Sequence, residues 1–148
     1  NVRAPFVLMR NFALQMINKG VAGNFVNISS GAARKMRRTA VTYCMSKTAL
    51  DRMTKGFALE MAEYGIRANC LEPGFASGSA VSVLNQEHID RVLAAIPLRH
   101  EIKSEDVGQA ALFLASSAAK NITGATLSVD GGNSAGTMDV YQDKKSAL

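Results

Sequence analysis

Apolar residues recur at three- and four-residue spacing in several stretches of this chain and gather into short continuous runs between them. That alternation predicts helices separated by buried strands. Phe6, Leu8, Met9, Phe12, Ala13 and Met16 form the first stripe. It predicts a helix over Val2 to Asn18, with the cation Lys19 in its last turn and Gly20 as its stop. Phe25 to Ile28, entered from Gly23 and left through Ser29-Ser30-Gly31, reads as a buried strand. Leu50, Met53, Phe57 and Met61 mark an amphipathic helix over Thr42 to Tyr64, closed by Gly65. Ile66 to Leu71 is a second strand running into Glu72-Pro73-Gly74. The segment Phe75 to Leu84 is small and aperiodic, and is expected to be a long loop and a candidate lid. Gln86 to Ala95 and the stretch opened by Ser104-Glu105-Asp106 predict further helices, and Ala125 to Val129 a third strand before Asp130-Gly131-Gly132.

Helices and strands in this order give a parallel sheet with helical crossovers, and continuous apolar strands are those covered on both faces. The expected fold class is α/β, with about three strands and flanking helices. Residues 1–132 should form the domain, and 133–148, polar and small, a tail that is exposed or docked at an interface. The chain starts at Asn1 without an initiator methionine and passes directly into a helical stripe, so it reads as cut from a longer one.

Composition narrows the class. With 47% hydrophobic and 20% charged residues, the 148-residue chain suits one ordinary globular core. Its apolar runs fall short of the roughly 18 residues that span a bilayer, and no signal segment opens it, so a cytoplasmic protein without membrane contact is expected. The net charge of +5 comes largely from Arg34-Lys35-Met36-Arg37-Arg38, without interleaved aromatics, and no nucleic-acid partner is expected. A solvated or subunit-contact loop is favoured there over an anion-binding one. Cys44 and Cys70 read as buried thiols, and His88 and His100 stand isolated, so no metal or redox centre is expected.

The candidate chemistry sits on the long second helix. Tyr43 and Lys47 are four residues apart and project from one helical face. Tyrosine ordinarily titrates near pH 10, so a phenolate available near pH 7 requires about 4 kcal/mol of differential stabilisation, to which a nearby ammonium contributes. Taken alone, Tyr-x-x-x-Lys also recurs in unrelated helices. Here it is preceded by Ser30, at a strand end thirteen residues before Tyr43, and followed by Pro73-Gly74 at the next strand end. In an open parallel sheet, ligands bind outside those carboxyl ends.

These segments resemble the short-chain dehydrogenase/reductase family: Gly23-Asn24-Phe25-Val26-Asn27-Ile28-Ser29-Ser30, Tyr43-Cys44-Met45-Ser46-Lys47, Ile66-Arg67-Ala68-Asn69 with Pro73-Gly74, and Ile122-Thr123-Gly124 with Val129-Asp130-Gly131-Gly132. The resemblance covers nearly everything but the tail. It implies the C-terminal half of a doubly wound, Rossmann-like sheet and hydride transfer between NAD or NADP, not distinguished here, and a carbonyl or alcohol. It implies Tyr43 as general acid in reduction and base in oxidation, and Lys47 as its electrostatic partner and a hydrogen-bond donor to the cofactor ribose. Ser30 would hold the reacting oxygen, while Ser29 should point to the opposite face of the strand. Asn1 matches the family's proton-relay asparagine, with a helix cap as the other reading. Pro73 and Gly74 match the turn beside the nicotinamide. Glycine stands where the family commonly has a cofactor-binding threonine, and Ser77 or Ser79 is the expected substitute. A homodimer or homotetramer is implied for the intact enzyme.

No G-x-x-x-G-x-G precedes Ser30. The chain alone is therefore not expected to bind dinucleotide usefully, to turn over substrate, or to fold independently. The alternative to a catalytic reading is a non-catalytic dimerisation or interaction module derived from such an enzyme. No side-chain pattern selects a substrate within the carbonyl or alcohol class.

Overall fold

A computed structural model describes residues 1–78 and 84–138. Its helix α1 (Arg3–Lys19) ends where Gly20 adopts a left-handed φ of 64°, allowing the Gly20 N–H to cap the Ile17 carbonyl. Strand β1 (Gly23–Ile28) follows. Helix α2 (Val41–Glu60) stops at Glu60, short of the Tyr64 end that the apolar spacing suggests. Ala62–Tyr64 instead tighten into a 3-10 turn, and Gly65, at φ 68°, reverses the chain into β2. The stripe outlasts the α-helix because Met61, at the junction, still packs against the core cluster of Met9, Phe57, Ala58 and Ala68.

Strand β2 (Ile66–Pro73) runs two residues past the expected Leu71, taking in Glu72 and Pro73. Proline has no N–H to give the ladder; the next donor is the Gly74 N–H, which bonds the Val129 carbonyl at 2.9 Å. Helices α3 (Gln86–Ala95) and α4 (Ser104–Ala115) precede β3 (Thr126–Val129). The strands lie in the order β1-β2-β3, all parallel, with Ile28 beside Leu71 and Glu72 beside Ser128.

Alternation along β2 divides the core. Ala68 packs with Met9, Phe57 and Ala58 beneath α1 and α2, whereas Leu71 packs with Leu114 and Ala119 beneath α4. Both faces are thus covered, and β2 is buried along nearly its whole length, its polar residues included. Burying a side chain such as Leu71 contributes roughly 1.5–3 kcal/mol.

Two polar residues of β2 fix the approach to β3. Arg67 donates to the carbonyls of Leu114, Ser116 and Ile122, and Asn69 both donates to the Ile122 carbonyl and accepts from the Ala125 N–H. The Arg67 and Asn69 side chains therefore serve the fold by satisfying the backbone of the turn that aligns β3. Among the described residues, no helix is long and apolar enough to cross a membrane.

Candidate active site

The carboxyl ends of β1 and β2 and the start of α2 meet at one edge of the sheet. At the end of β1 the two serines part company. Ser29 is buried and donates its hydroxyl to Asp51 on α2. Ser30 faces the cavity and caps a 3-10 turn (Gly31–Ala33), its Oγ accepting the Ala32 N–H at 3.2 Å. Serine at this position is favoured locally because its oxygen satisfies an otherwise orphaned turn amide.

Tyr43 lies in the first turn of α2, with its side chain 42% exposed toward the same cavity as Ser30. One helical turn on, Lys47 places its ammonium 5.8 Å from the centre of the Tyr43 ring and donates to the Ile28 carbonyl at 2.7 Å. That bond ties the ammonium to the strand end preceding Ser30.

The cavity, of about 710 Å³, is lined by Ser30, Tyr43, Glu72, Pro73, Gly74 and Asp130, and by residues of α3. At Gly74 the chain passes so close to β3 that an added Cβ would lie 2.6 Å from the Asp130 Cα. Glycine is needed there for close approach. Asp130 fixes the facing turn, accepting the N–H groups of Gly132 at 3.0 Å and Ser134 at 2.8 Å.

Asn1 is exposed, and its amide donates to the Ser46 hydroxyl at 3.0 Å; Ser46 in turn donates to the Tyr43 carbonyl at 2.7 Å. Asn1 thus buttresses the turn that carries Tyr43 and makes no direct bond to Lys47. Ser77 is not among the residues lining the cavity, and its backbone N–H donates to Glu101, whose carboxyl is held below its ordinary value by that bond. Ser79 and half of the candidate lid, residues 79–83, lie outside the described residues.

The basic loop is not uniformly solvated. Arg34 turns inward, and its Nε lies 2.8 Å from Oε2 of Glu72. Arg37 lines the cavity, as does His88 of α3. Cys44 and Cys70 are buried free thiols. Burial pushes the Cys70 thiol up to about 12, against the opposing effect of Thr54, to which its Sγ donates at 3.3 Å. Among the described residues, no cluster of histidine, cysteine and carboxylate side chains suits a metal ion.

Glu72 is the residue of this site that periodicity and motif reading pass over. It is 1% exposed, and its Oε2 is held by the Arg34 Nε. Its carboxyl is pushed up by burial and by Asp130 and Asp51, and pulled down by Arg34. The available signal was a charged residue set between the apolar pair Cys70-Leu71 and Pro73, since a glutamate is almost never fully buried unless paired.

Residues 1–134 match a family model described as enoyl-(acyl carrier protein) reductase. The chain is 39% identical over 132 residues to a 3-oxoacyl-[acyl-carrier-protein] reductase of Rickettsia prowazekii, covering 89% of this chain and 54% of that protein. It is 38% identical over 133 residues to glucose 1-dehydrogenase 2 of Bacillus subtilis, covering 89% and 52%. A solved structure from Agrobacterium tumefaciens, described as a 2-deoxy-D-gluconate 3-dehydrogenase and containing bound NADP, superposes with a TM-score of 0.87 at 33% identity, covering 92% of this chain and 56% of that one. The chain spans about half the length of the curated relatives it matches.

Proposed function

The chain belongs to the short-chain dehydrogenase/reductase family, and we propose that it supplies the catalytic half of an oxidoreductase that moves a hydride between NAD or NADP and a carbonyl or alcohol substrate. The observation that carries this reading is the meeting of Ser30 and Tyr43 on one cavity closed by Pro73 and Gly74, with Lys47 anchored beside Tyr43. An interaction module has no physical need for that constellation.

The residues fit the nicotinamide-ribose end of such a cofactor. Pro73 and Gly74 line the cavity as its wall, and Lys47 spends one N–H on Ile28 and keeps others to donate to a ribose. When bound, the cofactor supplies or accepts the hydride. Ser30, its oxygen already accepting from Ala32, retains a hydrogen to donate to the reacting oxygen and stabilises charge developing there. Tyr43 delivers a proton to that oxygen in reduction and removes it in oxidation. Lys47 stabilises negative charge on Tyr43 during that transfer. Asn1 takes part by bracing the Tyr43 turn through Ser46, and Ser77 would supply a further cofactor contact.

Relatives named for an oxoacyl carrier-protein reductase and a glucose dehydrogenase support the reaction class, and the NADP-bound structure supports the cofactor class. A homodimer or homotetramer belongs to the same reading, supported by Phe6, Leu8 and Phe12, which α1 leaves about half exposed. So does a cytoplasmic location.

The test is to express the chain within its complete reading frame and follow nicotinamide absorbance against a panel of ketones, sugars and acyl thioesters. Turnover should appear and fall about 10²–10⁴-fold in Tyr43→Phe. Turnover indifferent to Tyr43→Phe overturns the assignment, and a stable oligomer without turnover points to the non-catalytic module.

A further inference from the structure

Ser30 and Arg34 stand at the two ends of one 3-10 turn. Ser30 caps its start, the Ala33 N–H bonds the Ser30 carbonyl at 2.8 Å, and the Arg34 N–H bonds the Gly31 carbonyl at 3.2 Å. Beyond this turn, the Arg34 side chain crosses to the sheet. Its Nε pairs with Glu72 on β2, and its Nη2 donates to the Ser128 hydroxyl on β3 at 3.0 Å. Glu72 and Ser128 are register partners, so one guanidinium clamps adjacent positions of two strands. Its planar fork suits that double engagement in a way a lysine ammonium does not.

The carboxylate beneath the turn is tightly confined. Its Oε1 lies 3.6 Å from where a Cβ on Gly31 would stand, and both oxygens are sealed from water. A buried charge with one partner makes that partner's position matter, because displacing Arg34 leaves the charge uncompensated. Glu72 also immediately precedes Pro73-Gly74. The ion pair therefore links the turn that begins at Ser30 to the strand end that lines the opposite side of the cavity.

We propose that Arg34 and Glu72 are positioning residues that set the place of the Ser30 hydroxyl relative to Tyr43 and the Pro73-Gly74 turn. The proposal rests on the oxidoreductase reading above and goes beyond it, since the pair touches no reacting atom and acts through Ser30. Removing the pair should lower the rate of the chemical step while leaving cofactor binding nearly unchanged.

A double-mutant cycle tests this in the complete reading frame, with Tyr43→Phe as the control for the reaction itself. Arg34→Met should lower kcat about 10- to 100-fold, with the KM for nicotinamide cofactor moving less than about threefold. In a Ser30→Ala background the same substitution should have almost no further effect, because groups acting through one another are non-additive. Arg34→Lys should recover only part of the loss. If Arg34→Met folds poorly, the combined Arg34→Met and Glu72→Met variant removes both charges without leaving a buried polar group unpaired, so it should fold, yet should remain slow. Amide exchange at Ala32 and Ala33 should quicken in that combined variant, reporting a loosened turn without reference to turnover.

Unchanged kcat, or a loss fully additive with Ser30→Ala, overturns the proposal while the Tyr43→Phe control keeps the oxidoreductase reading intact. A parent protein without nicotinamide-dependent turnover overturns both.

Discussion

Ser29 donates its hydroxyl to Asp51, two turns of α2 beyond Tyr43, while Lys47, midway between them, bonds the Ile28 carbonyl. The end of strand β1 and helix α2 are therefore pinned together by two contacts just ahead of the Ser30 turn. Ser29 serves the fold and Ser30 faces the cavity, although the two are adjacent and chemically identical. Ser29→Ala should cost about 1.5–3 kcal/mol, the range for a buried hydrogen bond to a charged group, and lower Tm by several degrees. Ser30→Ala should cost less, about 0.5–1 kcal/mol for the lost turn cap, but reduce turnover strongly. Thermal melts of the two variants beside nicotinamide assays check this, and the reverse pattern would show that the roles are exchanged.

Much of this division was legible in the chain. Period-two alternation puts Ser29 and Ser30 on opposite faces of β1, and the spacing of Tyr43 and Lys47 gives them a common helical side. The parallel sheet followed from apolar runs between helical stripes. What was not legible depends on contacts distant in sequence. Nothing near Arg34 distinguishes it from Lys35 or Arg37, yet among the described residues it is Arg34 that pairs with Glu72, because the 3-10 turn aims it at the sheet. The end of α2 at Glu60 was hidden because Met61 keeps the apolar spacing through the tightened turn. The partner of Asn1 was equally unreadable, since Ser46 is brought beneath it only by the docking of α1 against α2.

Cys70 should be inert in the folded protein. Burial raises its thiol to about 12, so almost no thiolate forms at neutral pH, and the sulfur sits against Thr54 at 1% exposure. A thiol reagent at pH 8 should label Cys70 only as fast as the protein unfolds, with equal rates in urea and in buffer only if the site is open. The linkage has a definite sign: the unfolded thiol loses its proton near 9 and the folded one does not, so stability should fall as pH rises above 9. Cys70→Ala should abolish that part of the alkaline loss.

Glu72 gives the opposite limb. Burial, Asp130 at the end of β3 and Asp51 on α2 push its carboxyl up, and Arg34 only partly offsets them. A carboxyl raised in the folded state binds its proton more tightly there than in the unfolded chain. Folding is thus favoured as pH drops through the raised value toward the ordinary 4.5, and that contribution is absent at higher pH. The Tm of the parent protein minus that of Glu72→Gln should therefore grow as pH is lowered from neutrality. A difference that stays flat or shrinks would mean that Arg34 holds Glu72 ionised throughout.

Two glycines should respond to the same substitution with opposite signs. Gly74→Ala drives a methyl to within 2.6 Å of the Asp130 Cα, which is backbone and cannot rotate away. The strand ends must separate, at a cost of about 1–3 kcal/mol. That separation also shifts the Pro73-Gly74 wall facing Ser30 and Tyr43, so turnover in the complete reading frame should fall further than stability alone explains. Gly56 lies within α2 and has nothing within 4 Å of an added Cβ. There alanine removes only the conformational freedom of glycine, and Gly56→Ala should stabilise the protein by about 0.5–1 kcal/mol. Urea unfolding of both variants with the parent measures the two signs together. A Gly74→Ala protein as stable and active as the parent would mean that β2 and β3 can part at this edge without disturbing the site, leaving close approach with no bearing on its chemistry.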